Sequence, residues 1–204
     1  MQALRGDEML LSDRSILSRL KKGSIVIDPP LTTGQLRPVG IRVHLGSEIS
    51  VPVGGQLVDL ADPNELRYER HDIRSRSFIL ESGTFVLATT IERIKTGGDL
   101  LCVLEGRSTI ARLGVTIHNT ASFLDGSQDS WIRPVLEISN HGPLRIALQM
   151  GVPIGMLCFA RLASRSTGRN VHEQYRGQDS ALPPSFSKGA TLLTSLLEQR
   201  DIEW

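Results

Sequence analysis

The sequence predicts an all-β domain, a barrel or a sandwich, with only a few short helical pieces. Three observations point there. Short apolar runs recur along the chain with Gly and Pro punctuation between them. No βαβ rhythm, dinucleotide fingerprint, P-loop or internal repeat interrupts them. A chain of 204 residues, 40% of them hydrophobic, suits one domain with a sizeable core.

The elements follow in order. Residues 1–9 are expected to fray. Ser12 is placed to cap a helix, with Leu11 and Ile16 as a hydrophobic staple. Ile16, Leu17 and Leu20 share one face, and Gly23 ends the helix. Residues 24–27 read as a short strand, stopped by Asp28-Pro29-Pro30. Ile41, Val43 and Leu45 then alternate with Arg42 and His44, the period of a half-buried strand. Pro52, Gly54 and Gly55 break it. The mixed charges of 59–76 predict a solvated loop with at most a short helical turn. Residues 78–80 and 84–94 read as strands joined through Ser82-Gly83, and 100–104 as a fully apolar strand. Three more strands are expected at 131–140, 144–149 and 154–162, with His141-Gly142 as a tight hairpin signal.

The C-terminal part differs in composition. Residues 163–178 are polar and rich in Gly and Ser, like a mobile tail. Leu182-Pro183-Pro184 reads as a rigid spacer. Residues 190–200 carry leucines at helical spacing, suited to packing against the body or a neighbouring subunit. The chain thus divides into a domain at 1–181 and an extension with a short helix at 182–204.

Composition bounds the partners. A net charge of +1 gives no general attraction to nucleic acid or to an anionic membrane, and neither is expected as a partner. No apolar run reaches signal-peptide or bilayer-spanning length. Cys102 and Cys158 lie in apolar strand-like runs and read as buried free thiols. Together these predict a cytoplasmic protein.

Residues 106–137 hold the densest set of reactive side chains in an otherwise apolar middle. Arg107, Ser108 and Thr109 can open a short helical turn that Gly114 stops. Ser108 and Arg112 then share a face. Such a turn offers a guanidinium, two hydroxyls and backbone N–H groups to a phosphate. A strand-like run at 115–119 leads to Thr120-Ala121 and a lone acid, Asp125. Glu137 lies between Leu136 and Ile138, where partial desolvation is expected, a setting suited to proton transfer.

This segment resembles the dCTP deaminase family of the dUTPase-like superfamily. The residues that carry the likeness are Gly106, Arg107, Ser108, Thr109, Ala111, Arg112, Gly114, His118, Thr120 and Ala121, then Asp125, then Leu136-Glu137-Ile138 with Asn140. Leu45-Gly46, Gly142-Pro143-Leu144, Gly151, Ile154-Gly155 and Tyr175-Arg176-Gly177-Gln178 extend it over much of the chain. The resemblance implies a distorted β-barrel of the β-clip type. It implies a homotrimer with sites between subunits, and hydrolysis of dCTP to dUTP and ammonia. Glu137 would be the general base and acid. Ser108 and Arg112 would orient and polarise the water. Asp125 would face the deoxyribose and Thr120 and Ala121 the base. His118 would stand beside the site, although a satisfied core histidine fits that residue equally well. Tyr175 and Gln178 would belong to a segment that closes on the nucleotide. Mg2+ would ride on the triphosphate, and dTTP or dUTP are possible further ligands. Zinc deaminases carry H-x-E and P-C-x-x-C signatures, which this sequence lacks, so no zinc and no protein metal site are expected.

The sequence also departs from the family. The loop at 126–131 is longer, Gln174 and Thr167 replace a lysine and a tyrosine, and Arg42 replaces an aspartate. Two other readings therefore stand beside the deaminase. One is a bifunctional enzyme taking dCTP to dUMP and pyrophosphate. The other is a nucleotide-binding homologue without catalysis.

Overall fold

The computed structural model describes residues 10–60, 65–167, 179–181 and 184. The expectations for 1–9, for most of the tail including Gln174, Tyr175 and Gln178, and for nearly all of the extension at 182–204 lie outside these residues.

The described chain is mainly β. Helix α1 spans Asp13–Lys21. Strands β1 (Ile25–Asp28), β2 (Leu36–Arg37), β3 (Gly40–Pro52), β4 (Tyr68–Asp72), β5 (Phe78–Leu80), β6 (Phe85–Thr90), β7 (Arg93–Thr96) and β8 (Leu100–Gly106) follow. Then come α2 (Ser108–Ala111), β9 (Val115–Thr116), β10 (Val135–Asn140), β11 (Ile146–Leu148) and β12 (Pro153–Arg161). The main sheet runs β8-β12-β3-β6-β10-β9, with β2 and β4 added on β3. Two small ribbons, β1-β7 and β11-β5, complete a nearly closed, barrel-like arrangement. The inner faces of β3, β6, β8, β10 and β12 bury Ile41, Val86, Leu104, Ile138 and Phe159 completely. Along the first half of β3 and along β8 buried residues alternate with partly exposed ones, as the sequence predicts for β3, whereas β6 and much of β12 are buried on both faces.

Several elements differ from expectation, each for a visible reason. Ser12 occupies the N-cap of α1 with extended backbone, but its side chain makes no capping bond. The helix is fixed instead by neighbouring backbone bonds, Leu11 N–H to Phe159 O and Asp13 N–H to Pro38 O. Within 59–76 a strand forms: β4 pairs with the far half of β3, and Ile73 is buried. Tertiary pairing overrides the charges, which stay on its exposed positions. The run 84–94 splits into β6 and β7 at Ile91-Glu92, where Ile91 N–H crosses to His44 O and the Glu92 side chain turns inward. The strands expected at 115–119, 131–140 and 144–149 shorten to β9, β10 and β11.

His141-Gly142 is not a hairpin turn, because β10 pairs with β6 and β9 while β11 pairs with β5. The Asn140 side chain shapes this corner. Its amide donates to Leu80 O at 3.2 Å and Leu144 O at 2.7 Å, and its oxygen accepts from Gly142 N–H at 3.1 Å. A Cβ on Gly142 would collide with the Leu113 carbonyl oxygen, and one on Gly114 (φ +81°) would meet Gly142 backbone at 2.6 Å. Gly142→Ala is therefore expected to cost about 2 kcal/mol, because backbone rather than a flexible side chain must move. A urea unfolding midpoint measures it.

Candidate active site

The site grows out of the end of β8. Gly106 pairs with Gly155 of β12, and the chain then turns into α2. Arg107 is the N-cap, with extended backbone at φ −110° and ψ 137°. Its carbonyl accepts from Ile110 and Ala111 N–H, and Ser108 O accepts from Arg112 N–H at 3.0 Å. Ser108 and Arg112 thus sit on one helical turn, as their spacing predicts. Gly114 ends the turn in the left-handed region. Ser108, Thr109 and Arg112 are exposed, and Arg107 is half-buried with Nη1 donating to Pro153 O at 2.5 Å.

The chain then returns along β10. Val115 and Thr116 pair with Asn140 and Ser139, and Ile117 O accepts from Glu137 N–H at 2.9 Å. Leu136 and Ile138 point into the core, so alternation turns Glu137 to the outer face, where it is half-buried. The Asn119 backbone N–H donates to Glu137 Oε2 at 2.9 Å. Asn119 also meets Ser139 Oγ through its side-chain oxygen at 3.3 Å. Asn119 thereby holds one carboxylate oxygen. The sequence reading named no role for it, since a backbone donor leaves no mark in residue type.

The remaining candidates lie between β9 and the turn after Leu124. His118 is half-buried, with Nε2 3.9 Å from Glu105 and Nδ1 buried without a hydrogen-bond partner among the described residues. That is not a satisfied core histidine. Thr120 and Ala121 are exposed, and Phe123 is 66% exposed between them and Asp125. Asp125, also exposed, opens a 3-10 turn at Asp125–Ser127.

The longer loop after Asp125 is tied down. Asp129 N–H donates to Thr96 O at 2.7 Å, and Gln128 Nε2 to Leu100 O at 2.9 Å. Buried Ser127 Oγ lies 2.9 Å from Thr96 Oγ1, and Arg165 pairs with Asp129. Trp131 packs under the Arg93 guanidinium. The added residues thus bind β7 and β8.

Two groups outside the motif matter. Glu92 is 2% exposed, and its carboxylate accepts from Gln35 Nε2 at 3.0 Å and His44 N–H at 2.9 Å, with His44 Nδ1 at 2.6 Å. This buried network locks the bulged middle of β3 onto the β6–β7 corner. Beyond it, Arg133 donates to Thr90 O at 3.1 Å, to Ile91 O, and to Asp179. Ser50 Oγ donates to Ala181 O at 3.0 Å. The segment at 179–181 is thereby held on the outer sheet face that carries Glu137. It borders a cavity of about 210 Å³ lined by Glu48, Thr89, Arg133 and Asp179.

Burial, then the neighbouring Arg42 and Arg37, hold the Arg107 guanidinium below its usual range. Burial pushes the Cys102 and Cys158 thiols up, and both are free, as read from the sequence. Among the described residues no group of three His, Cys, Asp or Glu could hold a metal, and no helix is long and apolar enough to cross a membrane. Among those residues no hydrogen bond or ion pair joins Glu137 to Ser108 or Arg112. The fold brings Ser108, Thr109 and Arg112 to one turn, and places Glu137 on β10 against Asn119 of the loop after β9.

Comparison with known proteins supports the resemblance. A family model described as dCTP deaminase-like matches residues 10–162. A protein of Methanosphaera stadtmanae named "dCTP deaminase, dUMP-forming" is 34% identical over 188 residues, covering 88% of this chain and 93% of its own. One from Thermomicrobium roseum named "dCTP deaminase" is 37% identical over 194 residues, covering 90% and 97%. The crystal structure of the 2'-deoxycytidine 5'-triphosphate deaminase from Agrobacterium tumefaciens superposes with a TM-score of 0.58 at 18% identity. That match covers 76% of this chain and 48% of the other, so this chain spans about half of that protein. It shows a shared fold.

Proposed function

Because this chain belongs to the dCTP deaminase family, we propose that it hydrolyses dCTP, releasing ammonia, and carries the product on to dUMP and pyrophosphate. The observation that carries the first step is Glu137, fixed through one carboxylate oxygen by Asn119 N–H on an apolar strand. The second step is supported by relatives named "dUMP-forming", including proteins of Methanoculleus marisnigri and Salinispora arenicola. It takes precedence over the free dUTP expected from the sequence alone.

In this reading two waters are consumed in sequence. Glu137 takes a proton from the first water, which adds to C4 of cytosine. The same carboxyl gives that proton to the ring nitrogen, then takes the proton of the new C4 hydroxyl and hands it to the amine, which leaves as ammonia as the C4 carbonyl forms. Ser108 orients the water, and Arg112 holds the charge that develops in the tetrahedral species. Thr120 and Ala121 face the base, and Asp125 accepts from the sugar 3′-hydroxyl. In the second step Asp125 positions water at the α-phosphorus. Arg107, Ser108 and Thr109 meet the phosphates, and Tyr175 and Gln178 close over them. The surroundings of Arg107 are cationic. Mg2+ would ride on the triphosphate and neutralise part of its charge. Equal release of ammonia and pyrophosphate from dCTP tests the reading. Ammonia without pyrophosphate would return the product to dUTP.

We further propose a homotrimer whose sites combine the Ser108–Arg112 turn of one subunit with Glu137 of the next. The exposure of Ser108, Thr109, Arg112, Thr120, Ala121 and Phe123 supports it, since a site open on one chain needs a second surface to exclude water. Arg112→Ala and Glu137→Gln are each expected to be inactive. Co-assembled in equal amounts, they should regain about a quarter of the wild-type activity, from the sites built of two intact halves. No regained activity would place each site within one chain. The free buried thiols suit a reducing compartment, and we place the enzyme in the cytoplasm.

A further inference from the structure

We propose that Arg37 and Arg42 join Arg107 in a polyphosphate-binding site, placed to take the distal phosphates of the nucleotide. The inference rests on the deaminase reading for the identity of the nucleotide, and on the following geometry for the anion.

The sheet order β8-β12-β3 sets the three side chains together. Across it, Gly106 pairs with Gly155 and Gly155 with Val43, while Glu105 pairs with Met156 and Met156 with Arg42. Arg107 leaves the end of β8 and reaches over β12 to Pro153 O, and Pro153 is itself paired with His44 of β3. Its guanidinium therefore arrives beside the strand that carries Arg42. The β2–β3 hairpin, where Arg37 pairs with Gly40, brings in the third cation.

Arg42 is held firmly there. Its N–H donates to Gln35 O at 2.8 Å, and its carbonyl accepts from Gln35 Nε2 at 3.2 Å. Gln35 in turn donates to buried Glu92. Arg37 is exposed and Arg42 half-buried, so both guanidinium groups can be met from outside.

The cluster carries charge without an answering acid. Arg19, Arg93, Arg133, Arg145 and Arg165 each pair with a carboxylate. Among the described residues Arg37, Arg42 and Arg107 pair with none. The nearest acid in register, Glu105, stands in the row of Arg42 with Met156 between them, and its carboxylate lies 3.9 Å from His118 Nε2. Arg42 and Arg37 act on Arg107 as like charges, after burial, and weaken its hold on its proton. Three crowded cations are relieved by an anion of several charges, and guanidinium forks match phosphate oxygens in pairs. Arg107 also heads the turn that carries Ser108 and Thr109. A polyphosphate bound there would thus continue from the reacting nucleotide. This assigns a role to the arginine that replaces the family's aspartate.

The test is calorimetric titration of the full-length protein with inorganic tripolyphosphate, in the wild type and in Arg37→Gln, Arg42→Gln, the double variant and Arg42→Lys. Each glutamine is expected to weaken binding about tenfold, the loss of one charge-assisted hydrogen bond. The double variant should lose about a hundredfold, and Arg42→Lys should recover part. Unfolding midpoints should not fall, because a repulsive charge is being removed. Wild-type-like affinity in the folded double variant, or no tripolyphosphate binding by the wild type, overturns the proposal. Ammonia release from dCTP is followed in parallel. Intact tripolyphosphate binding that weakens in the variants upholds this site even if the wild type does not deaminate dCTP, a result that would remove only the deaminase reading.

Discussion

Glu137→Gln is expected to lower ammonia release from dCTP by about a thousandfold, the scale of a lost general base and acid. The variant keeps an oxygen where Asn119 N–H donates at 2.9 Å, so β10 and its neighbours should stay in place. Its unfolding midpoint should match the wild type. The glutamine cannot take a proton from water or return one to the leaving amine, and that loss falls on kcat. Turnover near the wild-type value would remove Glu137 from the chemistry. A large fall in stability would instead make it a structural acid.

Glu92→Ala is expected to lose about 3–5 kcal/mol, the cost of removing one partner from a buried charged network. The substitution leaves His44 N–H without its acceptor, takes the carboxylate from the half-buried His44 ring, and leaves buried Gln35 Nε2 with Arg42 O alone. Denaturant unfolding with an unchanged slope would measure it. Glu92→Gln should lose less, because one oxygen still accepts while the new amide faces donors. The network also holds the Gln35 clamp on Arg42, so Glu92→Ala should weaken tripolyphosphate binding as well.

The elements legible in the sequence were those set by local pattern. The turn at 108–112 was visible because Gly114 ends it and Ser108 and Arg112 fall four apart. The alternation of Ile41, Val43 and Leu45 became the buried face of β3. Glu137 stood out as a carboxylate between apolar neighbours, and the structure keeps it half-buried on the outer face of β10.

What escaped depended on partners distant in sequence. β4 is polar by composition and exists because β3 offers it an edge. His141-Gly142 has hairpin chemistry, yet Gly142 serves to let the Leu113-Gly114 backbone approach. Glu92 read as part of a long strand, and only the fold brings Gln35 and His44 around it. Asn119 acts through its backbone, which no side-chain pattern announces. Arg42 read as a departure from a family pattern, and its meaning came from Arg107 and Arg37 beside it.

The most direct measurement is chromatographic product analysis of the purified protein with Mg2+, offering dCTP, dCMP, dUTP and CTP separately. The account predicts dUMP, ammonia and pyrophosphate from dCTP, and no product from CTP, whose 2′-hydroxyl would crowd Asp125. dUTP accumulating as the end product would keep Glu137 in its role and withdraw the second step. No product from any of the four, in a folded protein, would contradict the account and leave a nucleotide-binding homologue without catalysis.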